Sequence, residues 1–145
     1  MSLHKENILL CLDDQEQEQQ IIQILDPEQF DFQILSDPDE ALNYIFTHNP
    51  PILMTTLLKK VNNDRPLNRA IHYGGMLTQV ILVSDSEAIE LAKEEIRAGY
   101  AFDHFVLHPV YDEIHQFLWA VDLALDTFHL RMKLLEQKEK IIQRL

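Results

Sequence analysis

Asn7-Ile8-Leu9-Leu10-Cys11-Leu12-Asp13-Asp14-Gln15 is an apolar run that ends on two adjacent carboxylates and leads into a polar segment with helical signals. The run has strand length and lacks the strict alternation of a half-solvated strand. That is how a strand covered on both faces reads, which means a parallel sheet between helices. Four further runs of the same kind follow: Phe30–Leu35, Ile52–Thr56, Gln79–Val83 and His104–Leu107.

Helical signals lie between them. Gln15–Leu25 is polar early and apolar late, and Pro27 ends it. Asp37-Pro38-Asp39-Glu40 offers an N-cap, a proline for the first turn and a capping-box acid. The apolar face that follows is Ala41, Leu42, Ile45 and Phe46. A short helix is expected over Pro66–Tyr73, stopped by Gly74-Gly75. Another runs from about Ser86-Glu87 to Ala98, with Gly99 at its C-terminal end. The last begins near Tyr111 and meets no Gly or Pro before Leu145. Five β-α units predict an α/β fold: a flavodoxin-like, doubly wound, five-stranded parallel sheet of order 2-1-3-4-5, with an extended C-terminal helix.

Composition narrows the function classes. The chain has 145 residues, 12 Lys and Arg against 24 Asp and Glu, and a net charge of −12. Such a surface does not grip nucleic acid or anionic lipid by charge alone. No apolar run approaches the roughly 20 residues of a membrane-spanning helix. A single cysteine, Cys11, cannot form an internal disulfide, so a reducing cytoplasm fits best. With three glycines no Gly-rich phosphate loop can be assembled, and no Ser-His-Asp or Cys-His set stands out, so an enzyme is not expected.

In open α/β sheets ligands bind beyond the carboxyl ends of the strands. Those ends carry Asp13-Asp14, Thr55-Thr56, Ser84, and His108 followed by Pro109. Adjacent carboxylates repel unless a cation or donors offset them. Mg²⁺ or another divalent cation on Asp13 and Asp14 would suit; the plainer alternative is that both simply cap the first helix. His108 facing them could form an ion pair or join them around a transition metal such as Zn, Mn or Ni. It could equally be hydrogen-bonded locally. His4, His48, His72, His115 and His129 show no metal-like clustering.

Leu9-Leu10-Cys11-Leu12-Asp13-Asp14-Gln15 resembles the first strand of a bacterial response-regulator receiver domain (CheY-like). Asn49-Pro50-Pro51-Ile52-Leu53-Met54 is similar to the approach to its third strand. Gln79–Ser84 resembles the fourth, which ends in a hydroxyl residue, and Phe105-Val106-Leu107-His108-Pro109 resembles the fifth. The resemblance covers about residues 6–125 and implies a module of two-component phosphorelay signalling. It implies a phospho-acceptor aspartate at position 56, where this chain has Thr56, and a lysine at position 108, where it has His108. It makes Ser84 and Phe105 switch-like positions. A threonine hydroxyl is a poor nucleophile without an activating base. The nearest downstream acid is Asp64, in a loop rich in Asn and Lys. The expectation is therefore a pseudo-receiver acting by protein contacts without aspartyl phosphorylation. The alternative is a metal- or small-ligand-sensing domain using Asp13, Asp14 and His108.

Tyr111–Leu145 would be about 52 Å long as one helix, longer than the roughly 15 residues a receiver needs to cover its sheet. Leu118, Val121, Leu125, Phe128, Met132, Leu135, Glu139 and Ile142 follow a 3-4 spacing, and all but Glu139 are apolar. That is a coiled-coil seam. The reading divides the chain into a receiver-like domain, 4–128, and a coiled-coil-like extension, 129–145. It expects self-association through the helix as a dimer, with a kinase or output domain as further partner. Trp119 is expected to pack against the sheet or a partner.

Overall fold

The computed structural model describes residues 5–84, 88–106 and 114–144. Seven strands and five helices follow in order: β1 (Glu6–Cys11), α1 (Gln15–Ile24), β2 (Phe30–Ile34), α2 (Pro38–His48), β3 (Ile52–Thr55), β4 (Lys60–Val61), β5 (Arg65–Pro66), α3 (Leu67–Tyr73), β6 (Gln79–Ser84), α4 (Ile89–Arg97), β7 (Asp103–Val106) and α5 (Ile114–Gln143). The main sheet is parallel, in the order β2-β1-β3-β6-β7. This is the expected 2-1-3-4-5 order once the short antiparallel pair β4-β5 is set aside. The sequence reading placed no strands in that loop.

Alternation along β1 sends side chains to both faces, and each face has its own core. Ile8, Leu10 and Leu12 join Ile21 of α1, Leu25 just after it, and Phe117, Val121, Ala124 and Leu125 of α5. Leu9 and Cys11 join Ala41 and Ile45 of α2, Leu67 and Ile71 of α3, and Ala92 of α4. Full burial of one such aliphatic side chain stabilises the fold by about 1.5–3 kcal/mol. The run that signalled the fold is therefore the layer on which both cores are built.

Local chemistry sets the helix ends. Asp14 and Asp37 cap α1 and α2, each accepting from the backbone N–H two residues on, at 2.8 and 2.9 Å. Asn49 ends α2 in the left-handed conformation. Gly99, at φ +84°, follows α4. One expectation fails on a helix face. Phe46, expected on the apolar face of α2, is 76% exposed, because the buried stripe runs through Ala41 and Ile45 and position 46 lies about 100° beyond it. Trp119, expected against the sheet or a partner, does not pack on the sheet: it is 66% exposed, on the opposite side of α5.

A half-buried ion pair ties α3 to α4. The Arg69 guanidinium forks onto Glu95, Nε to Oε1 at 2.9 Å and Nη2 to Oε2 at 2.8 Å, and Asn68 Nδ2 donates to Oε1 at 3.1 Å. The Arg69 hydrogen bonds hold the Glu95 carboxyl below its ordinary range, against the opposing effect of burial. A depressed folded value means the contribution is present above the unfolded value and is lost as pH falls through the folded one. Glu95→Gln should cost about 2 kcal/mol near neutral pH. In urea unfolding followed against pH, the gap between the two proteins should close on the acid side. A constant gap down to full protonation would remove the ion pair as its cause.

Candidate functional site

The carboxyl ends of β1, β3 and β6 surround a cleft of about 480 Å³ lined by Asp13, Asp14, Gln17, Thr56, Leu57, Leu58, Ser84, Ala88 and Leu91. The expected acidic pair, acceptor position and hydroxyl thus lie around one opening. Asp14 is engaged as the cap of α1. Asp13 is engaged differently: its Oδ1 lies 2.5 Å from Nζ of Lys59.

Lys59 is the residue that sequence reasoning missed. Its Nζ also donates to the carbonyl oxygen of Ser36 at 2.6 Å, and its side chain is only 9% exposed. The loop after β3 folds it back. The Lys59 N–H reaches the carbonyl of Thr56 at 3.4 Å, and the Leu67 N–H donates to the Lys59 carbonyl at 2.9 Å. The β4-β5 pair closes through Asn62 and Asn63, both left-handed, at φ 52° and 57°. The Asn62 N–H donates to Asp39 Oδ1 at 2.9 Å, fastening the turn to α2. The available signal was a lysine three residues past Thr56, following a strand adjacent to an acidic pair.

Neither threonine offers a carboxylate. Thr55 Oγ1 donates to the carbonyl of Cys11 at 2.9 Å, bridging β3 to β1. Thr56 Oγ1 accepts from the Leu58 N–H at 3.3 Å. Asp64 stands elsewhere, in a cleft with Val61, Arg65 and Tyr73. Ser84 Oγ lies 2.6 Å from Nε2 of His104. Phe105 is buried, edge to face with Phe117 of α5, ring centroids 5.2 Å apart. His108 and Pro109 lie outside the described residues, and with them the expected pairing of His108 with Asp13 and Asp14.

The donors described at these strand ends are already engaged. An ammonium group stands within hydrogen-bonding distance of Asp13, one oxygen of Asp14 is used as a cap, and the third strand end supplies a hydroxyl already accepting from backbone. Among the described residues no group of three or more His, Cys, Asp or Glu is placed to hold a metal ion. Lys59 also acts on its surroundings electrostatically. Burial raises the Glu18 carboxyl, Asp14 raises it further, and Lys59 opposes both. Burial pushes the Cys11 thiol up to about 11, again against Lys59.

The expected seam on α5 divides. Val121, Leu125 and Phe128 are buried in the chain itself, and Leu118 packs at the edge of the α1-α5 core. Met132 still meets the domain, where Asn49 Nδ2 lies 3.5 Å from its sulfur. His129 Nε2 lies 2.8 Å from Glu6 Oε1 of β1. Leu135 and Ile142 are exposed. A 3-4 repeat reports a face without saying what covers it; here the sheet covers its first half.

No protein-family model matches the sequence, and no curated relative does. Solved structures do match in fold. The signal receiver domain of an HD domain-containing protein from Pseudomonas fluorescens Pf-5 superposes with a TM-score of 0.73 at 20% identity, over 92% of this chain and 96% of that one. The fold is that of receiver domains. The receiver domain of Francisella response regulator 1452 gives 0.68 at 21% identity, over 85% and 99%. A fusion carrying the trimeric coiled coil of yeast Spc42 gives 0.67 at 17% identity, over 99% and 98%.

The buried thiol gives a test of how closed the site is. At pH 8, native Cys11 should react with an aromatic disulfide reagent at least about 100-fold more slowly than in the urea-unfolded chain, since only the thiolate attacks. Equal rates would mean that β1 is open to solvent at Cys11.

Proposed function

We propose that this chain is a signalling module of a bacterial two-component phosphorelay system, a cytoplasmic pseudo-receiver that works through protein contacts without aspartyl phosphorylation. The observation that carries the reading is Lys59. Its ammonium takes the cation's place on Asp13, while Thr56 takes the place of the acceptor. Phosphoryl transfer relies on positioning and on charge neutralisation at the transferring group. Here the positive charge is already committed to Asp13 and Ser36, and the residue facing it is a weak nucleophile. Ser84 and Phe105 keep the switch-like positions without a phosphoryl group to read, with Ser84 against His104 and Phe105 against Phe117.

Partners are then proteins: a kinase or output domain, and a second copy through α5. The net charge of −12 disfavours nucleic acid as a partner of this domain, and no helix among the described residues is long and apolar enough to cross a membrane. The module is not an enzyme on this reading.

A second reading, a small-ligand sensor, draws on the shape of the cleft. Its volume falls in the range of ligand pockets, and Leu57, Leu58 and Leu91 give it apolar walls beside Asp13 and Ser84. A metal-sensing version with Asp13, Asp14 and His108 would have to displace Lys59 from Asp13.

Incubation with acetyl phosphate and Mg²⁺, and separately with beryllofluoride, should leave the intact mass and the melting temperature unchanged. Mg²⁺ should raise the melting temperature of Lys59→Ala but not of the wild-type protein or Lys59→Arg. A phosphoryl adduct on Asp13, Asp14 or Asp64 would overturn the reading. Mg²⁺ stabilisation of the wild-type protein equal to that of Lys59→Ala would overturn the role given to Lys59.

A further inference from the structure

Helix α5 carries a second apolar stripe, on the side away from its sheet. Trp119, Leu123, Leu130, Leu134 and Ile141 are exposed, by 66%, 41%, 59%, 56% and 61%. At 100° per residue they fall within about 60° of one another. Val121, Leu125 and Phe128, which face the core, lie about 180° away. The outer face of a helix packed on one side is normally polar. This one carries exposed apolar residues from the domain to the tail, interrupted at Thr127 and Gln137. Leu135 and Ile142, also exposed, continue the other stripe, which the chain's own sheet blocks above Phe128.

We propose that the outer stripe is the surface through which two copies of this chain pair, with their α5 helices antiparallel. Leu123, Thr127, Leu130, Leu134, Gln137 and Ile141 alternate at spacings of four and three, the register of a two-stranded coiled coil. Reversing one copy about an axis beside Met132 sets Leu123 against Ile141 and Leu130 against Leu134. It also sets the two polar residues, Thr127 and Gln137, against each other. The stripe is thus self-complementary, as a two-fold interface must be. It spans about 27 Å.

Charge selects the orientation. Residues 129–145 hold five basic residues (Arg131, Lys133, Lys138, Lys140 and Arg144) against two acidic, a net +3. The remaining residues, 1–128, hold seven basic against 22 acidic, a net −15. A parallel pair places two strongly acidic bodies side by side and sets Lys133 near Lys138 of the second copy. An antiparallel pair lays each basic tail along the other copy's acidic body and brings Asp126 near Lys140. The cost falls at the axis, where Arg131 and Lys133 approach their own counterparts. A lipid or nucleic-acid occupant would meet the acidic body beside the stripe and be repelled.

The inference does not depend on what the cleft binds or whether it takes phosphate. Sedimentation equilibrium of the full chain should give twice 17.0 kDa at the upper end of the concentration range. Leu130→Glu/Leu134→Glu should give 17.0 kDa with unchanged helical circular dichroism, since both positions are exposed, and Leu135→Glu should remain dimeric. Leu123→Cys and Ile141→Cys should each stay uncrosslinked alone and form a disulfide dimer when mixed; Cys11 is buried and does not compete. A monomer at every concentration would overturn the proposal, leaving the stripe to a different protein, and so would a trimer. Loss of the dimer in Leu135→Glu alone would move the interface to the other stripe. Crosslinking of either cysteine variant with itself, or of neither in the mixture, would overturn the antiparallel arrangement.

Discussion

One ammonium group ties together the functional end of the sheet. Ser36 follows β2, Asp13 follows β1 and Lys59 follows β3, and these three strands are neighbours in that order. Lys59 Nζ contacts the first two of these residues at 2.6 and 2.5 Å. It therefore clips three adjacent strand ends. Its burial makes the clip obligatory: an unpaired ammonium out of water is costly, so the acceptors around it are a condition of the loop's conformation. Asp13, more than half exposed, is thereby held to a local structural partner. A divalent ion at the same place would need the lysine to leave Asp13.

How much of this could be read in the sequence differs between strands and loop. Leu9, Leu10 and Leu53 sit in continuous apolar runs because both faces of the sheet are covered, and that condition is local enough to see. The caps Asp14 and Asp37 are equally local. Lys59 is different. Its place depends on two asparagines turning left-handed and on Asp39 of α2 accepting from the turn, contacts between segments more than 20 residues apart. A loop rich in Asn and Lys carries no periodicity that would announce such a return. Phe46 fails for another reason. Apolar character told that it is hydrophobic, but not on which side of the helix the stripe's centre falls.

Helix α5 combines both situations. Its 3-4 repeat is real, and the structure gives its first half to the sheet: Val121, Leu125 and Phe128 fill the α1-α5 core. A repeat of that period is compatible with a partner helix or with the helix's own domain, since both present a flat apolar surface. What distinguishes them is the opposite face. A helix that merely closes its domain has no use for Trp119, Leu123 and Leu130 pointing outward, and exposing them lowers solubility without stabilising the monomer.

The cleft and the helix are joined by packed side chains rather than by a loop. Ser84 lines the cleft at the end of β6, and its neighbour strand β7 carries His104 and Phe105 on successive positions. His104 turns toward Ser84, so by the alternation of a strand Phe105 turns to the opposite face, where it meets Phe117 at the start of α5. Both phenyl rings are buried in the α1-α5 core. A rotamer change at Phe105 therefore cannot occur without moving Phe117, and with it the first turns of the helix that bears the outer stripe. The two rings thus form a continuous packed contact between the strand that carries His104 beside the cleft and the first turns of α5.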